Sequence, residues 1–142
     1  LKDMELFAGA TWLRARARGG DGIEQDHMPY TPGFQAQAGF SWLFLEHIKF
    51  RLDAQYLRDV YAATSARSGN FNFTMLTDQN KLKDFVVVNG RLGYLFDLKQ
   101  LSLQGSEIYV AVNNIFNRHY EYDKGYPMPG VTAFAGLTLK FQ

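Results

Sequence analysis

The chain has 142 residues, of which 46% are hydrophobic, 15% aromatic and 20% charged, and its formal net charge is +1. This length suits one domain, the charge is too small to indicate a nucleic-acid partner, and the lack of cysteine excludes disulfides and cysteine-based metal sites. No run of roughly 18 apolar residues occurs, which excludes a transmembrane helix, whereas the many aromatic residues suit the interface belts of a membrane β-barrel.

Polar and apolar residues alternate in three stretches of the first half of the chain. Such alternation separates the two faces of a β-strand and would be mixed around a helix. The first stretch has an apolar set at Met4, Leu6, Ala8, Ala10 and Trp12. The second and third stretches, at 34–42 and 48–56, keep the same parity. Three strands are therefore predicted here.

Three further strands are predicted in the second half, at about 86–96, 108–116 and 131–141. Their alternation is less regular, because Phe85, Val87 and Leu95 interrupt the polar face of the fourth strand. The first and third strands are expected to span about 12–14 residues and the others about 10–12, against a mode of about 5–6 in soluble proteins. The whole pattern predicts an all-β fold, an antiparallel meander of about six long strands.

The connections between these strands alternate in length. Long polar segments follow the first, third and fifth strands, at about 18–32, 62–84 and 118–129, and short turns follow the second and fourth, near 46–47 and 98–105. Residues 71–76 of the second long segment predict a short extra hairpin or a strand at the tip of the loop. Long loops at one end and tight turns at the other are typical of outer-membrane barrels.

The two faces of the predicted sheet need different surroundings. Lys49, Arg51 and Asp53 share one face and must be wet, because burying unpaired charges costs several kcal/mol. The other face is apolar and needs lipid or a second protein layer, and aromatic residues near its ends suit membrane belts: Trp12, Trp42, Tyr56, Tyr94 and Phe116. We predict one common apolar face for Leu6, Ala8, Ala10, Phe40, Phe50, Leu52, Val88, Leu92, Val110, Val112, Ala135, Leu137 and Leu139.

The last 30 residues resemble the C-terminal end of TonB-dependent outer-membrane receptors. Val112–Tyr120 is similar to the "V-x-N-L-F-[DN]-x-x-Y" stretch of that family, and Tyr126–Val131 is similar to its "Y-P-x-P-G-R" loop, with Val131 in place of Arg. Met28–Gly33 resembles a "P-x-x-P" segment before an earlier strand. The motif positions are Asn113, Asn114, Phe116, Tyr120, Pro129, Gly130 and the near-terminal aromatic Phe141.

The resemblance covers residues 1–142 and implies the C-terminal part of a 22-stranded, plugged barrel of the bacterial outer membrane. It implies uptake of an iron–siderophore complex, haem, cobalamin or a similar scarce nutrient. The plug, the earlier strands and the TonB contact would belong to a part N-terminal to this chain. Expected partners are outer-membrane lipid and the rest of the receptor or another copy of the chain, because six strands leave exposed edges. No cofactor and no nucleic-acid partner are expected.

Ligand contacts are expected in the long connections, because loops on a rigid scaffold usually carry binding groups. The candidates are Arg16, Arg18, His27, Tyr120, Tyr122 and Tyr126. Each has a simpler interpretation: the arginines as a solvated strand end, the histidine as a solvated loop residue, and the tyrosines as packing of the last connection. Asn113 and Asn114 indicate a structural role at the top of the fifth strand.

Two other functions remain open from the residues alone. One is a small structural or adhesive outer-membrane barrel. The other is a soluble lipocalin-like module whose apolar face surrounds a ligand, although long loops and a wide polar face argue against it. An enzyme is the least favoured class, since no nucleophile–base pair, phosphate loop or metal-ligand spacing is present, and no catalytic or metal-binding residue is predicted.

Overall fold

The computed structural model describes residues 3–18, 24–25, 27–62, 65–68, 71–74 and 80–141. Its strands are β1 (Met4–Trp12), β2 (Ala17–Arg18), β3 (Glu24–Gln25), β4 (Phe34–Phe44), β5 (Ile48–Arg58), β6 (Ser65–Ser68), β7 (Phe71–Thr74), β8 (Phe85–Leu98), β9 (Leu103–Asn113), β10 (Glu121–Asp123), β11 (Tyr126–Pro127) and β12 (Thr132–Thr138). Six of them form one antiparallel sheet in the order β1-β4-β5-β8-β9-β12. The predicted meander is confirmed, and the sheet is open at β1 and β12.

The connections have the predicted arrangement. The first, second and third long connections (13–33, 59–84 and 114–131) lie at one end of the sheet, and each carries a small hairpin: β2–β3, β6–β7 and β10–β11. Of the stretch 71–76, residues 71–74 form β7, a short strand that pairs with β6, and residues 75 and 76 lie outside the described residues. The short turns, 45–47 and 99–102, lie at the opposite end. Among the described residues no helix is long and apolar enough to cross a membrane.

Strand lengths differ from the prediction. The longest strand is β8 with 14 residues, whereas the first predicted strand has 9 and the third has 11. The fifth predicted strand ends early, because Asn114 adopts a left-handed backbone with φ 52°. Phe116, which was predicted within that strand, therefore lies in the turn that follows it.

The final strand is also shorter than predicted, with 7 residues. Gly105 has a φ of 67° and interrupts the pairing of β9. Beyond this point Gln104 N donates to the carbonyl of Lys140 at 3.1 Å, and Lys140 N donates to Ser106 Oγ at 3.2 Å instead of to a backbone oxygen. Phe141 then forms an isolated bridge with Leu103 rather than extending the strand.

The register confirms the predicted apolar face for every member of the set that lies in a strand. Residues directly opposite each other across a ladder share a face, and Leu6 is opposite Phe40, which is opposite Leu52. The same holds across β8, β9 and β12, where Leu92 and Ala135 lie directly opposite Val110 on the two neighbouring strands. Leu139 follows the last strand. The apolar face thus carries the even-numbered positions of the first five long strands and the odd-numbered positions of β12.

The polar face carries charges that are largely paired. Arg91 donates to both carboxylate oxygens of Glu107, from Nη2 at 2.9 Å and from Nε at 3.3 Å, and its guanidinium lies 3.5 Å from the ring centre of Tyr109. Asn89 Nδ2 donates to Asp53 Oδ2 at 2.9 Å. Pairing on a half-exposed wall reduces the desolvation cost that unpaired charges would carry.

A small hydrophobic core lies on the polar face at the end with the long connections. It consists of Leu57, Val60, Ala62, Leu82, Phe85 and Val87, with Tyr120 packed against it. Phe85 and Val87 are 3% and 7% exposed. These are the residues that interrupt the alternation of the fourth strand, and they do so because the long connections pack on them.

Candidate functional site

The three long connections meet at Tyr30. Its backbone N donates to the carbonyl of Tyr61 at 2.8 Å, and its hydroxyl donates to Asp123 Oδ1 at 3.1 Å. Tyr30 belongs to the first connection, Tyr61 to the second and Asp123 to the third. The φ of Tyr30 is 56°, a left-handed conformation that is uncommon for an aromatic residue and is held here by contacts on both sides.

An aromatic cluster on the small core supports the third connection. The ring centre of Phe85 lies 4.6 Å from that of Tyr120 and 5.4 Å from that of Tyr122. The hydroxyl of Tyr122 donates to Gln55 Oε1, on the polar face, at 3.5 Å. Burial, and secondarily the neighbouring Tyr120, raises the pKa of Tyr122, so its hydroxyl remains a donor. Tyr126, in β11, is 72% exposed.

A cleft of about 640 Å³ lies where the first connection leaves the sheet. Its walls are Trp12, Leu13, Arg14, Ala15, His27, Met28, Thr31, Gly33, Phe34, Arg58 and Asp59. Trp12, Phe34 and Arg58 form one row of the register and therefore belong to the apolar face. The His27 ring stacks on Tyr61 with a centre-to-centre distance of 4.1 Å.

Arg58 and Asp59 of the cleft belong to a linked group of charges. Asp59 Oδ1 accepts a hydrogen bond from the ammonium of Lys81, and this bond lowers the pKa of Asp59 and raises the pKa of Lys81. Arg58 Nε lies 3.2 Å from Asp59 Oδ2 and 3.9 Å from Asp84 Oδ2. Lys81 and Arg58 therefore compensate both carboxylates.

Asn114 joins the two ends of the third connection. It is 2% exposed, its Nδ2 donates to the carbonyl of Arg118 at 2.8 Å and to that of Pro129 at 3.3 Å, and its Oδ1 accepts from Arg118 N at 2.7 Å. Its own backbone N donates to Asn89 Oδ1 at 3.0 Å. We call this set of bonds the Asn114 clamp. Of the two asparagines predicted to have a structural role here, Asn114 makes these bonds and Asn113 is exposed.

A second asparagine, Asn117, also holds the end of the third connection, next to Gly130. Asn117 Oδ1 accepts from Val131 N at 3.1 Å, and a Cβ on Gly130 would collide with the same oxygen. Other motif residues are more open: Asn113 is exposed, and Phe116 and Phe141 are 75% and 72% exposed.

The sequence profile of a protein family described as "TonB dependent receptor-like, beta-barrel" matches residues 3–115. The chain belongs to this family. The family membership predicted from the sequence is thereby confirmed, although the matched range ends at residue 115, before most of the segment that carried the resemblance. The chain is placed in the bacterial outer membrane. The family is one of transport receptors rather than of enzymes.

One solved structure similar to this TonB-dependent receptor barrel is the ferric-catecholate import receptor Fiu from E. coli K12, in its closed form. The TM-score is 0.66 at 19% sequence identity, over 98% of this chain and 19% of the receptor. The likeness concerns the fold, and the chain spans about a fifth of that receptor's length. A search of curated protein sequences gave no match.

The predicted ligand residues occupy separate parts of this TonB-dependent receptor barrel. Tyr120 and Tyr122 lie together, with ring centres 5.6 Å apart, whereas His27 lies at the cleft and Tyr126 on the exposed hairpin. Arg16 is exposed before β2. Arg18 lies in β2, and its side chain is outside the described part of the structure.

Sequence reasoning missed the residues that connect these parts. The contact of Tyr30 with Asp123 spans 93 positions of sequence, and the only signal was the resemblance of Met28–Gly33 to a family segment. Nothing in the pattern pointed to Lys81 as the partner of Asp59. No group of three or more His, Asp or Glu residues in the described ranges is arranged to hold a metal ion.

Proposed function

We propose that this chain is the C-terminal barrel segment of a TonB-dependent receptor that imports a scarce nutrient across the outer membrane. The observation that carries the proposal is that all three long connections meet at Tyr30, at one end of a sheet with one apolar and one polar face. A barrel with lipid outside and a polar lumen needs these two faces, and a receptor needs joined loops at the end that meets its ligand. The family assignment favours this function over a structural barrel or a soluble binding module.

The proposed substrate class is an iron–siderophore complex, with haem and cobalamin as alternatives. Because the similar solved structure is a ferric-catecholate import receptor, a ferric catecholate is the first compound to test. Arg16, Arg18 and His27 supply positive or hydrogen-bonding groups for an anionic ligand. Tyr120, Tyr122 and Tyr126 supply aromatic surface beside the polar wall. No catalytic step and no cofactor are part of this proposal.

The proposed partners follow from the open sheet. Strands β1 and β12 each present an unpaired edge, and such edges pair with further strands of the same barrel or with another copy. TonB would contact a part of the receptor N-terminal to these residues, and the apolar face would contact lipid.

The test uses the complete receptor in receptor-deficient cells that contain or lack TonB. Uptake of a radiolabelled ferric catecholate is measured beside uptake of haem and cobalamin. We expect one substrate to enter only when both the receptor and TonB are present. Equal uptake of every substrate with and without the receptor would contradict the proposal.

A second experiment identifies which end of the sheet binds the substrate. Replacing Arg16 and Arg18 by Ala should weaken binding of an anionic substrate by up to about 1–3 kcal/mol, the range for hydrogen bonds to charged groups. The matched control is Glu46→Ala with His47→Ala in a short turn, which should leave affinity unchanged. Equal losses at both ends, or a loss only at the short-turn end, would reverse the assigned orientation.

A further inference from the structure

The third long connection begins against the wall of the sheet rather than above it. The last pair that β9 forms with β8 at this end joins Val112 to Gly90, whereas β8 extends further, to Phe85, and stays paired with β5 along that stretch. Ile115 N then donates to the carbonyl of Val88 at 2.9 Å. The first residues of the connection therefore lie within reach of side chains on the polar face of β5 and β8.

The side chain of Asn89 takes the place of a strand partner at this point. It accepts a hydrogen bond from Asn114 N through Oδ1 at 3.0 Å, and it donates from Nδ2 to Asp53 Oδ2 at 2.9 Å. An amide side chain accepts through its oxygen and donates through its nitrogen. The two neighbours together therefore fix its orientation, because the backbone N–H requires the oxygen and the carboxylate requires the nitrogen.

Asp53 is in the middle of β5, directly opposite Asn89, on the face that lines the lumen in the proposed function. Its side chain is 38% exposed, and its second oxygen, Oδ1, lies 3.7 Å from Arg51 Nε. Asn89 is thus the closer of these two partners of the carboxylate. The hydrogen bonds continue from Asn89 to Asn114, whose side chain holds the backbone of Arg118.

We propose that Asp53 is a positioning residue for the third long connection and acts through Asn89 on the Asn114 clamp. From the lumen wall it sets the place of the loop that carries Tyr120 and Tyr122, two of the candidates for contact with the ligand. This proposal rests on the proposed function for the lumen and the ligand, whereas the series of hydrogen bonds does not depend on which nutrient is imported.

The test measures how readily trypsin cuts the third connection of the complete receptor, purified in mild detergent without substrate. Trypsin cuts after Arg118, whose backbone N and O are both held by the Asn114 clamp, and after Lys124, which is exposed at the tip of the β10–β11 hairpin. The ratio of the two cleavage rates therefore reports opening of the clamp rather than general access to the loop. Folding of each variant is checked by heat modifiability on gels.

Four variants separate the hydrogen bond from the charge. Asp53→Ala removes the acceptor, and Asp53→Asn keeps an acceptor without the charge. Asn89→Asp places a second carboxylate against Asp53, and the double variant Asp53→Asn/Asn89→Asp restores a donor and an acceptor with their positions exchanged. The matched control is Glu107→Ala, which removes a carboxylate of the same face whose hydrogen bonds come from Arg91.

We expect Asp53→Ala to raise the ratio of cleavage after Arg118 to cleavage after Lys124 by at least about tenfold, the scale of a hydrogen bond to a charged group. Asn89→Asp should raise it similarly, because two carboxylates in contact repel each other. Asp53→Asn, the double variant and the control should stay within about threefold of the parent. If Asp53→Ala does not fold, the comparison of Asn89→Asp with the double variant carries the test.

Binding of a ferric catecholate is measured on the same preparations. The half-saturating concentration should rise by at least about threefold for Asp53→Ala and Asn89→Asp, because a receptor whose loop is open part of the time binds with a correspondingly reduced apparent affinity. It should return to the parent value in the double variant.

Four results would overturn the proposal. The first is an unchanged cleavage ratio in Asp53→Ala and Asn89→Asp. The second is a double variant that does not recover, and the third is an equal rise in Glu107→Ala, which would indicate general loosening of the wall. The fourth is unchanged binding in variants whose loop has opened. A parent receptor that binds no ferric catecholate would instead contradict the substrate proposal, and the cleavage ratios, measured without substrate, would still decide this one.

Discussion

Replacing Asn114 by Ala in the complete receptor should destabilise the third long connection by about 3 kcal/mol. The two short hydrogen bonds to the backbone of Arg118, at 2.7 and 2.8 Å, are worth about 1 kcal/mol each, and the longer bond to Pro129 O adds less. A further cost of about 1 kcal/mol arises because Ala tolerates the left-handed φ of 52° less well than Asn does. The side chain is buried, so water cannot replace these bonds.

The assay compares three variants by thermal unfolding in detergent and by protease cleavage within residues 114–131. Asn114→Gly removes the same bonds without the backbone cost, so it should lose about 1 kcal/mol less than Asn114→Ala. Asn113→Ala is the matched control, because its side chain is exposed and has no hydrogen bond in the described part of the chain; its effect should stay within about 0.5 kcal/mol. If Asn114→Ala resists heat and protease as well as Asn113→Ala does, the Asn114 clamp does not hold this connection.

Three further predictions concern the faces and the loop contacts. Leu52→Arg, in the middle of the apolar face, should cost about 2–4 kcal/mol in denaturant unfolding from lipid vesicles, and a neutral effect would mean that this face is not in lipid. Lys81→Met should cost about 1 kcal/mol or less near neutral pH, since its pair with Asp59 is partly exposed. The lowered pKa of Asp59 makes this contribution decline as the pH falls below 3.8, and the raised pKa of Lys81 makes it decline as the pH rises above 10.5; a pH-independent difference in melting temperature would contradict this. Gly130→Ala should break the contact of Asn117 with the backbone and cost about 1–3 kcal/mol, detectable as faster protease cleavage of the third connection, whereas unchanged cleavage would mean that the loop adapts.

The strands and their faces could be predicted because alternation is a local property. A strand with one face in lipid repeats every two residues, so the parity of Phe40 and Leu52 follows from the sequence alone. Alternation could not explain why the apolar residues Phe85 and Val87 lie on the polar face. Their packing partners, among them Leu57 and Tyr120, come from distant parts of the chain.

Strand ends and turns were harder to predict, because single residues with unusual backbone angles determine them. Leu45 and Glu46 both adopt positive φ, 51° and 63°, in a short turn that lacks the Asn or Gly that usually signals this geometry. Gly105, with a φ of 67°, interrupts the pairing within β9, and Asn114 ends β9 with a φ of 52° while its side chain bonds to the backbone of Arg118 and Pro129. Similarly, the end of the sheet at which the long connections lie could be predicted, but the bond between Tyr30 and Asp123 has no local signature.

The position of Tyr30 has a consequence for the motions of the receptor's surface. One residue bonds to both of the other connections, so none of the three can open without breaking a contact of another. Restricting one connection also reduces the conformational entropy that the other two still have to lose. The three connections should therefore exchange their amide hydrogens with solvent as one cooperative unit. A ligand that touches only the first connection would slow exchange in the third, so these loops would sense their ligand collectively.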